Sequence, residues 1–212
     1  MPAKKAARPK TLYSVHPGVA MMQKWVAELT EKTGRSMEEW MKFIRARGPK
    51  ELKECREWLK KECELGTNSA WWLTERALAV EPSFADEDPE EYLKAAERYV
   101  EDMFTGARAA LRPVYDRLLK LGLSLARDVK ACPCKTIVPL YRNHVFAEIK
   151  PATRTRIDMG FALGDEPIKG RLIDTGGFAK KDRITRRIPI STLEEIDTEV
   201  ERWLRVAYDR DA

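Results

Sequence analysis

Glu148-Ile149-Lys150 has the spacing of the E-x-K core of metal-dependent nucleases. In that chemistry two carboxylates hold a divalent cation and a lysine polarises the attacking water. Asp128 would be the second carboxylate, but it follows a helix-like stretch rather than a strand. The motif is short, and an ion-paired strand face explains it as well. Pairing Ala147 with Ile157 keeps both apolar sets on one face and places Glu148 opposite Arg156. On that register no catalytic residue is assigned.

A second stretch could hold an anion. Asp174-Thr175-Gly176-Gly177 is followed by Lys180, Lys181, Arg183, Arg186 and Arg187. Paired glycines let backbone N–H groups converge on an anion, and cations behind them can hold phosphate. The sequence lacks the Lys-Ser/Thr ending of a nucleotide-binding loop. A glycine turn before a charged strand edge is the plainer reading. The polar face of the sheet adds Lys135, Glu148, Lys150, Arg154, Arg156, Asp158 and Asp174, with Phe146 among them. Cations interleaved with an aromatic suit single-stranded nucleic acid, by charge and by stacking.

Cys132-Pro133-Cys134 invites a metal reading. Zinc needs four ligands at wider spacing, and Cys55 and Cys63 lie in the helical half. His16 and His144 are the only histidines. No metal and no cofactor is expected, and His144 reads as a turn residue. No nucleophile–histidine set can be assembled.

The elements behind these residues change character near residue 135. Before it, apolar residues recur at helical spacing. Val19, Met22, Val26 and Leu29 form one stripe, stopped by Gly34. Ser36 and Glu39 form a capping box for a helix that Gly48 ends. Pro49 opens the next helix, Asn68 caps a fourth, Asp88-Pro89 starts a fifth, and Leu111–Leu121 marks a sixth. After residue 135, Val145, Ala147 and Ile149 alternate with polar residues, as do Ile157, Met159 and Phe161. Pro139 points to an edge strand. Ser191 and Glu194 open a last helix over the sheet. The fold class is α+β: an N-terminal helical domain, then a mostly antiparallel four- or five-stranded sheet flanked by helices. The expected boundaries are 1–11 for a disordered basic tail, 12–80 for the helical domain, 81–106 for an acidic linker and helix, and 107–212 for the basic domain.

Charge follows the same division. Residues 11–106 carry 14 basic and 19 acidic side chains, while residues 107–191 carry 18 and 8. Four cysteines without scaffold spacing fit a reducing cytoplasm. No apolar run approaches the roughly 18 residues of a membrane span, so no membrane partner is expected. Trp71 and Trp72 are adjacent and cannot both face one helical core. One of them should meet the other domain or a second copy of the chain, which makes a homo-oligomer a candidate.

TGRSMEEW (33–40) with EWLKKECELGTNSAWW (57–72) resembles a short helical domain of unknown function found in many bacterial proteins. LRPVYDRLLKLG (111–122), CPCKTIVPLYRNHVFAEIKP (132–151) and DTGGFAKKDRITRRIPI (174–190) resemble a second such domain. That one also ends proteins labelled "predicted transport protein". The resemblance implies a two-domain arrangement and supplies no catalytic residues. The sequence thus favours a non-catalytic binding module whose basic domain takes an anionic partner, nucleic acid among the candidates. A nuclease-like enzyme using Glu148 and Lys150, or a purely structural role in protein interaction, are the alternatives.

Overall fold

The computed structural model describes residues 11–78 and 87–212. Residues 81–86 of the expected linker and helix, and residues 1–10 of the basic tail, lie outside the described residues. The chain divides into two compact units. One is Pro17–Tyr92; the other joins Leu93–Ala212 to the described residues before Pro17.

The first unit is helical. It comprises α1 (Pro17–Ala27), α2 (Leu29–Thr33), α3 (Met37–Arg47), α4 (Leu52–Glu62) and α5 (Thr67–Leu78). Gly34 ends α2 at φ 72°, a left-handed turn that glycine makes without strain. The Ser36 hydroxyl then accepts from Glu39 N at 3.3 Å, and Glu39 Oε2 accepts from Ser36 N at 2.7 Å. This is the expected capping box. The unit buries Trp40, Ile44, Cys55, Leu59 and Leu73. Trp40 Nε1 donates to Thr33 Oγ1 at 2.8 Å, and that hydroxyl donates to the Leu29 carbonyl at 2.7 Å. Two starts differ from expectation. Residue 66 supplies the first carbonyl of α5, one turn before Ala70, so Asn68 lies inside the helix. Helix α4 begins at Leu52 rather than at Pro49. Trp72 is buried edge-on against Trp25, while Trp71 is 41% exposed under Arg56.

The second unit is α+β. Helix α6 (Pro89–Met103) leads through a 3-10 turn, Gly106–Leu111, to α7 (Arg112–Ser124). Six strands follow: β1 (Lys130–Ala131), β2 (Val138–Tyr141), β3 (Val145–Pro151), β4 (Ile157–Phe161), β5 (Ile173–Asp174) and β6 (Arg186–Ile190). Their order is β1-β2-β3-β4-β6-β5, all antiparallel. The count exceeds the expected four or five because β1 and β5, at the two edges, have two residues each. A two-residue strand shows no alternation. Helix α8 (Thr198–Arg210) closes the unit. Tyr115 and Leu118 of α7 and Trp203 and Leu204 of α8 share one apolar core with Ile149, Met159 and Ile188 of the sheet.

Four details correct the sequence reading. Ala147 pairs with Phe161, not Ile157, so Glu148 lies opposite Gly160 and Lys150 opposite Asp158. A bulge pairs Leu140 with Ala147 but Tyr141 with Val145. The extra residue is Phe146, which is fully buried and packs edge-on against Tyr208 of α8. It does not stand on the polar face. Pro139 lies in an interior strand; its carbonyl accepts from Cys132 N at 3.0 Å, so its missing N–H faces the short β1 side. Finally, Ser191 N is taken by Glu195 Oε2, and α8 starts later, capped by Asp197 Oδ1 on the N–H groups of Glu199 and Val200.

The segment before Pro17 belongs to this unit through its own bonds. The Tyr13 and Tyr115 hydroxyls lie 3.1 Å apart. Ser14 N donates to the Ala131 carbonyl at 2.9 Å. The Cys132 thiol approaches the Val15 carbonyl at 3.7 Å, and His16 Nε2 lies 3.0 Å from the Tyr141 hydroxyl. Among the described residues no helix is long and apolar enough to cross a membrane.

Emptying the Phe146 site removes a buried ring from a close-packed core. Phe146→Ala should lose about 3–5 kcal/mol of unfolding free energy in denaturant titrations. The exposed Lys150→Ala should stay within about 0.5 kcal/mol of the parent. Equal effects would contradict the bulge.

Candidate functional site

Four pieces of chain meet at one end of the sheet. They are the β2–β3 turn at 142–144, the exit of β4 at 162–164, the loop 175–185 before β6, and the last turn of α8. Backbone and side-chain bonds tie them together. Ala162 N donates to the Phe146 carbonyl at 2.8 Å, Arg183 Nε to the Val145 carbonyl at 3.1 Å, and Arg210 to the Leu163 carbonyl. Two of them, the exit of β4 and the loop 175–185, line a cleft of about 570 Å³ through Ala162, Gly164, Phe178, Lys181, Arg183 and Thr185, among others. The Phe178 ring is 58% exposed. Lys181 sits at φ 58°, a left-handed conformation uncommon for a residue with a Cβ. The Thr185 hydroxyl is buried and has no hydrogen-bond partner among the described residues.

The loop's glycines, its Arg183, and Arg186 and Arg187 at the start of β6 are occupied internally. Asp174 Oδ1 accepts from Gly176 N at 2.8 Å, and Thr175 Oγ1 accepts from Gly177 N at 3.1 Å. Gly177 is required by close approach: a Cβ there would fall 2.4 Å from the Ile184 carbonyl oxygen. Arg186 is buried; it donates to the Glu166 carbonyl at 2.8 Å and pairs with Asp174 at 3.3 Å. Arg187 pairs with Asp158, whose other oxygen lies 2.9 Å from Arg156 Nε. Arg183 Nη2 donates to Asp211 at 2.8 Å. Guanidinium forks match carboxylates, which suits arginine to these inward roles. Lys180 and Lys181 are exposed and make no ion pair among the described residues.

The other candidates lie elsewhere. Lys135 is in the β1–β2 hairpin, at the far edge of the sheet, and Arg154 is in the turn 152–156. That turn is the length of β4 away from the cleft, roughly 16 Å at strand rise. Lys150 is exposed on β3, and Asp174 lies on the edge strand β5. Neither they nor Glu148, Arg156, Asp158 or Arg187 line the cleft, whereas Lys181 and Arg183 do.

Glu148 has room because its neighbour is glycine. A Cβ at Gly160 would fall 2.8 Å from Glu148 Cγ and 2.7 Å from Ile184 Cγ2. Burial pushes the Glu148 carboxyl above its ordinary range; Lys150 opposes this, and Asp182 and Asp158 add to it. Asp128 does not join Glu148. It accepts from the Tyr208 hydroxyl at 2.9 Å and pairs with Arg142 at 3.3 Å. Among the described residues no group of three or more His, Cys, Asp or Glu is placed to hold a metal ion. Cys132 is buried, which pushes its thiol up to about 12 and keeps it protonated at neutral pH.

Three participants, Phe178, Asp182 and Asp211, were not singled out from sequence. Phe178 and Asp182 belong to the loop whose lysines and arginines drew attention instead. His144 and Asp211 are far apart in the chain but bonded: His144 Nδ1 lies 3.0 Å from Asp211 Oδ1, and His144 N donates to Oδ2 at 2.7 Å. An aromatic residue between glycines and lysines was the available signal for Phe178.

Comparison with known proteins returns two families. Residues 100–211, over half of the chain, match the family described as Domain of unknown function (DUF5655). Residues 21–76 match the family described as Domain of unknown function (DUF4287). No curated protein and no solved structure matches the chain.

The Glu148 environment has a pH signature. A carboxyl raised by burial stabilises the fold while protonated, and that contribution is lost as pH rises past the ordinary glutamate value of about 4.3 towards the raised one. Glu148→Gln, neutral and of equal size, should raise Tm at pH 7 by roughly 2 °C and show little difference at pH 4. Thermal melts at the two pH values check this; a lower Tm for the variant at pH 7 would contradict it.

Proposed function

The chain belongs to the first of these families, and we propose that this member is a non-catalytic binding module whose basic C-terminal unit takes an anionic partner, single-stranded nucleic acid in the finer reading. One observation carries the reading. Beside the exposed Phe178 ring, Lys180 and Lys181 stand without ion-pair partners among the described residues, while Arg183 of the same loop and Arg186 and Arg187 of β6 are paired with carboxylates. Free ammonium groups can displace counterions from phosphates, and an exposed ring offers any base a stacking platform. Phe178 takes the stacking role that Phe146 cannot fill from inside the core. Arg183, Arg186, Arg187, Gly176 and Gly177 serve the site by holding the loop in shape. Cleavage by Glu148 and Lys150 is not part of the reading, because Asp158 is held by two arginines and Asp128 by Arg142 and Tyr208.

Filter binding of a single-stranded oligonucleotide across about 50 to 200 mM salt tests this. Retention should fall with salt. Replacing Lys180 and Lys181 together by Ala should reduce the log–log slope by about 1.4, at roughly 0.7 per phosphate contact on a single strand. Phe178→Ala should weaken binding by about 1–3 kcal/mol and leave the slope unchanged. No retention at the lowest salt overturns the proposal.

A further inference from the structure

His144 is a turn residue with an unusual support. Its ring is 65% exposed, yet the carboxylate that holds it is 3% exposed. Asp211 is fixed in turn: its N–H bonds to the Tyr208 carbonyl at 3.1 Å, and its own carbonyl accepts from Asn143 Nδ2 at 2.8 Å. A carboxylate only accepts hydrogen bonds, so Nδ1 of His144 carries the proton. In the neutral ring Nε2 then holds a lone pair, and it has no partner among the described residues. A locked tautomer with one outward acceptor is a recognition element for a hydroxyl donor.

The element stands next to the cleft. Asp211 Oδ1 accepts from His144 Nδ1 at 3.0 Å and from Arg183 Nη2 at 2.8 Å. The imidazole and a guanidinium that lines the cleft therefore flank a single oxygen atom. Arg183 thus joins the cleft, which Lys181 also lines, to the His144 ring through one shared oxygen, and a strand bound in the cleft can present a sugar hydroxyl to that ring. Of the two nucleic acids only RNA offers a hydroxyl there, and the 2′-hydroxyl is the group by which proteins tell RNA from DNA.

We propose that the His144–Asp211 pair reads the ribose 2′-hydroxyl through Nε2, making the C-terminal unit selective for single-stranded RNA over DNA of the same sequence. The inference rests on the nucleic-acid reading of the cleft. The pair acts on preference, whereas Lys180, Lys181 and Phe178 act on both nucleic acids alike.

The experiment compares matched RNA and DNA oligonucleotides on the full chain at a single salt concentration. The parent should bind RNA about five- to tenfold more tightly, as one added neutral hydrogen bond provides. His144→Asn keeps an amide facing Asp211 but has no atom at the Nε2 position. It should bind the two nucleic acids equally, with DNA affinity unchanged. His144→Ala should do the same, and a thermal melt of each variant reports on folding. Equal binding of RNA and DNA by the parent overturns the inference and leaves the cleft reading standing. A preference that survives in His144→Asn also overturns it. Failure to bind either nucleic acid removes both.

Discussion

Asp211 is 5% exposed, and a carboxylate so far from water is costly unless donors surround it. The fold supplies them from two places. The β2–β3 turn gives His144 N and Nδ1 to the carboxylate and Asn143 Nδ2 to the backbone carbonyl, and the loop before β6 gives Arg183. Each donor is worth having only if the others are in place, so these pieces of chain are positioned together. The cleft between them inherits that definition. Arg183 can line it at a fixed angle because both ends of its guanidinium are bound, to Asp211 and to the Val145 carbonyl.

The basic C-terminal segment is less electropositive towards a ligand than its composition implies. Arg112, Arg142, Arg156, Arg171, Arg183, Arg186 and Arg187 all pair with carboxylates. The planar guanidinium satisfies two acceptors at once and is weakly hydrated, so it goes inward more readily than an ammonium group. Lysine, compact and strongly hydrated, stays outside. Reading net charge as a binding signal therefore overstates the surface, and residue type corrects it. The loop 175–185 and the start of β6 divide along that line: Arg183 and Arg186 are bound to the fold, while Lys180 and Lys181 face solvent.

Local chemistry was legible where one short stretch decides the outcome. The Ser36–Glu39 box, the Gly34 stop and the Asp88-Pro89 start all act within a few residues, and the helices form accordingly. The alternation of β3 and β4 was legible for the same reason. Their register was not. Sliding β4 by four residues against β3 keeps every inward residue inward, because side chains alternate with period two. The choice falls to the 152–156 turn, where Ala152 N and Thr153 N both bond to the Arg156 carbonyl. Phe146 escaped for the opposite reason: a bulge shifts parity by one residue, and no periodic pattern encodes it. The cleft escaped because the exit of β4 and the loop before β6 line it together, and the His144–Asp211 pair escaped because its members lie 67 residues apart.

The segment before Pro17 has a consequence for a chain made from its N-terminus. Tyr13 meets Tyr115 across 102 residues, Val15 meets Cys132 across 117, and His16 meets Tyr141 across 125. At about 5–20 residues per second on the ribosome, those partners emerge on the order of 10 s after the segment itself. Pro17–Tyr92, built on local helical contacts, is complete before any of them exists. The early segment therefore remains open while the helical unit closes. When β1 finally forms, its outer edge is an unpaired strand edge until Ser14 reaches the Ala131 carbonyl.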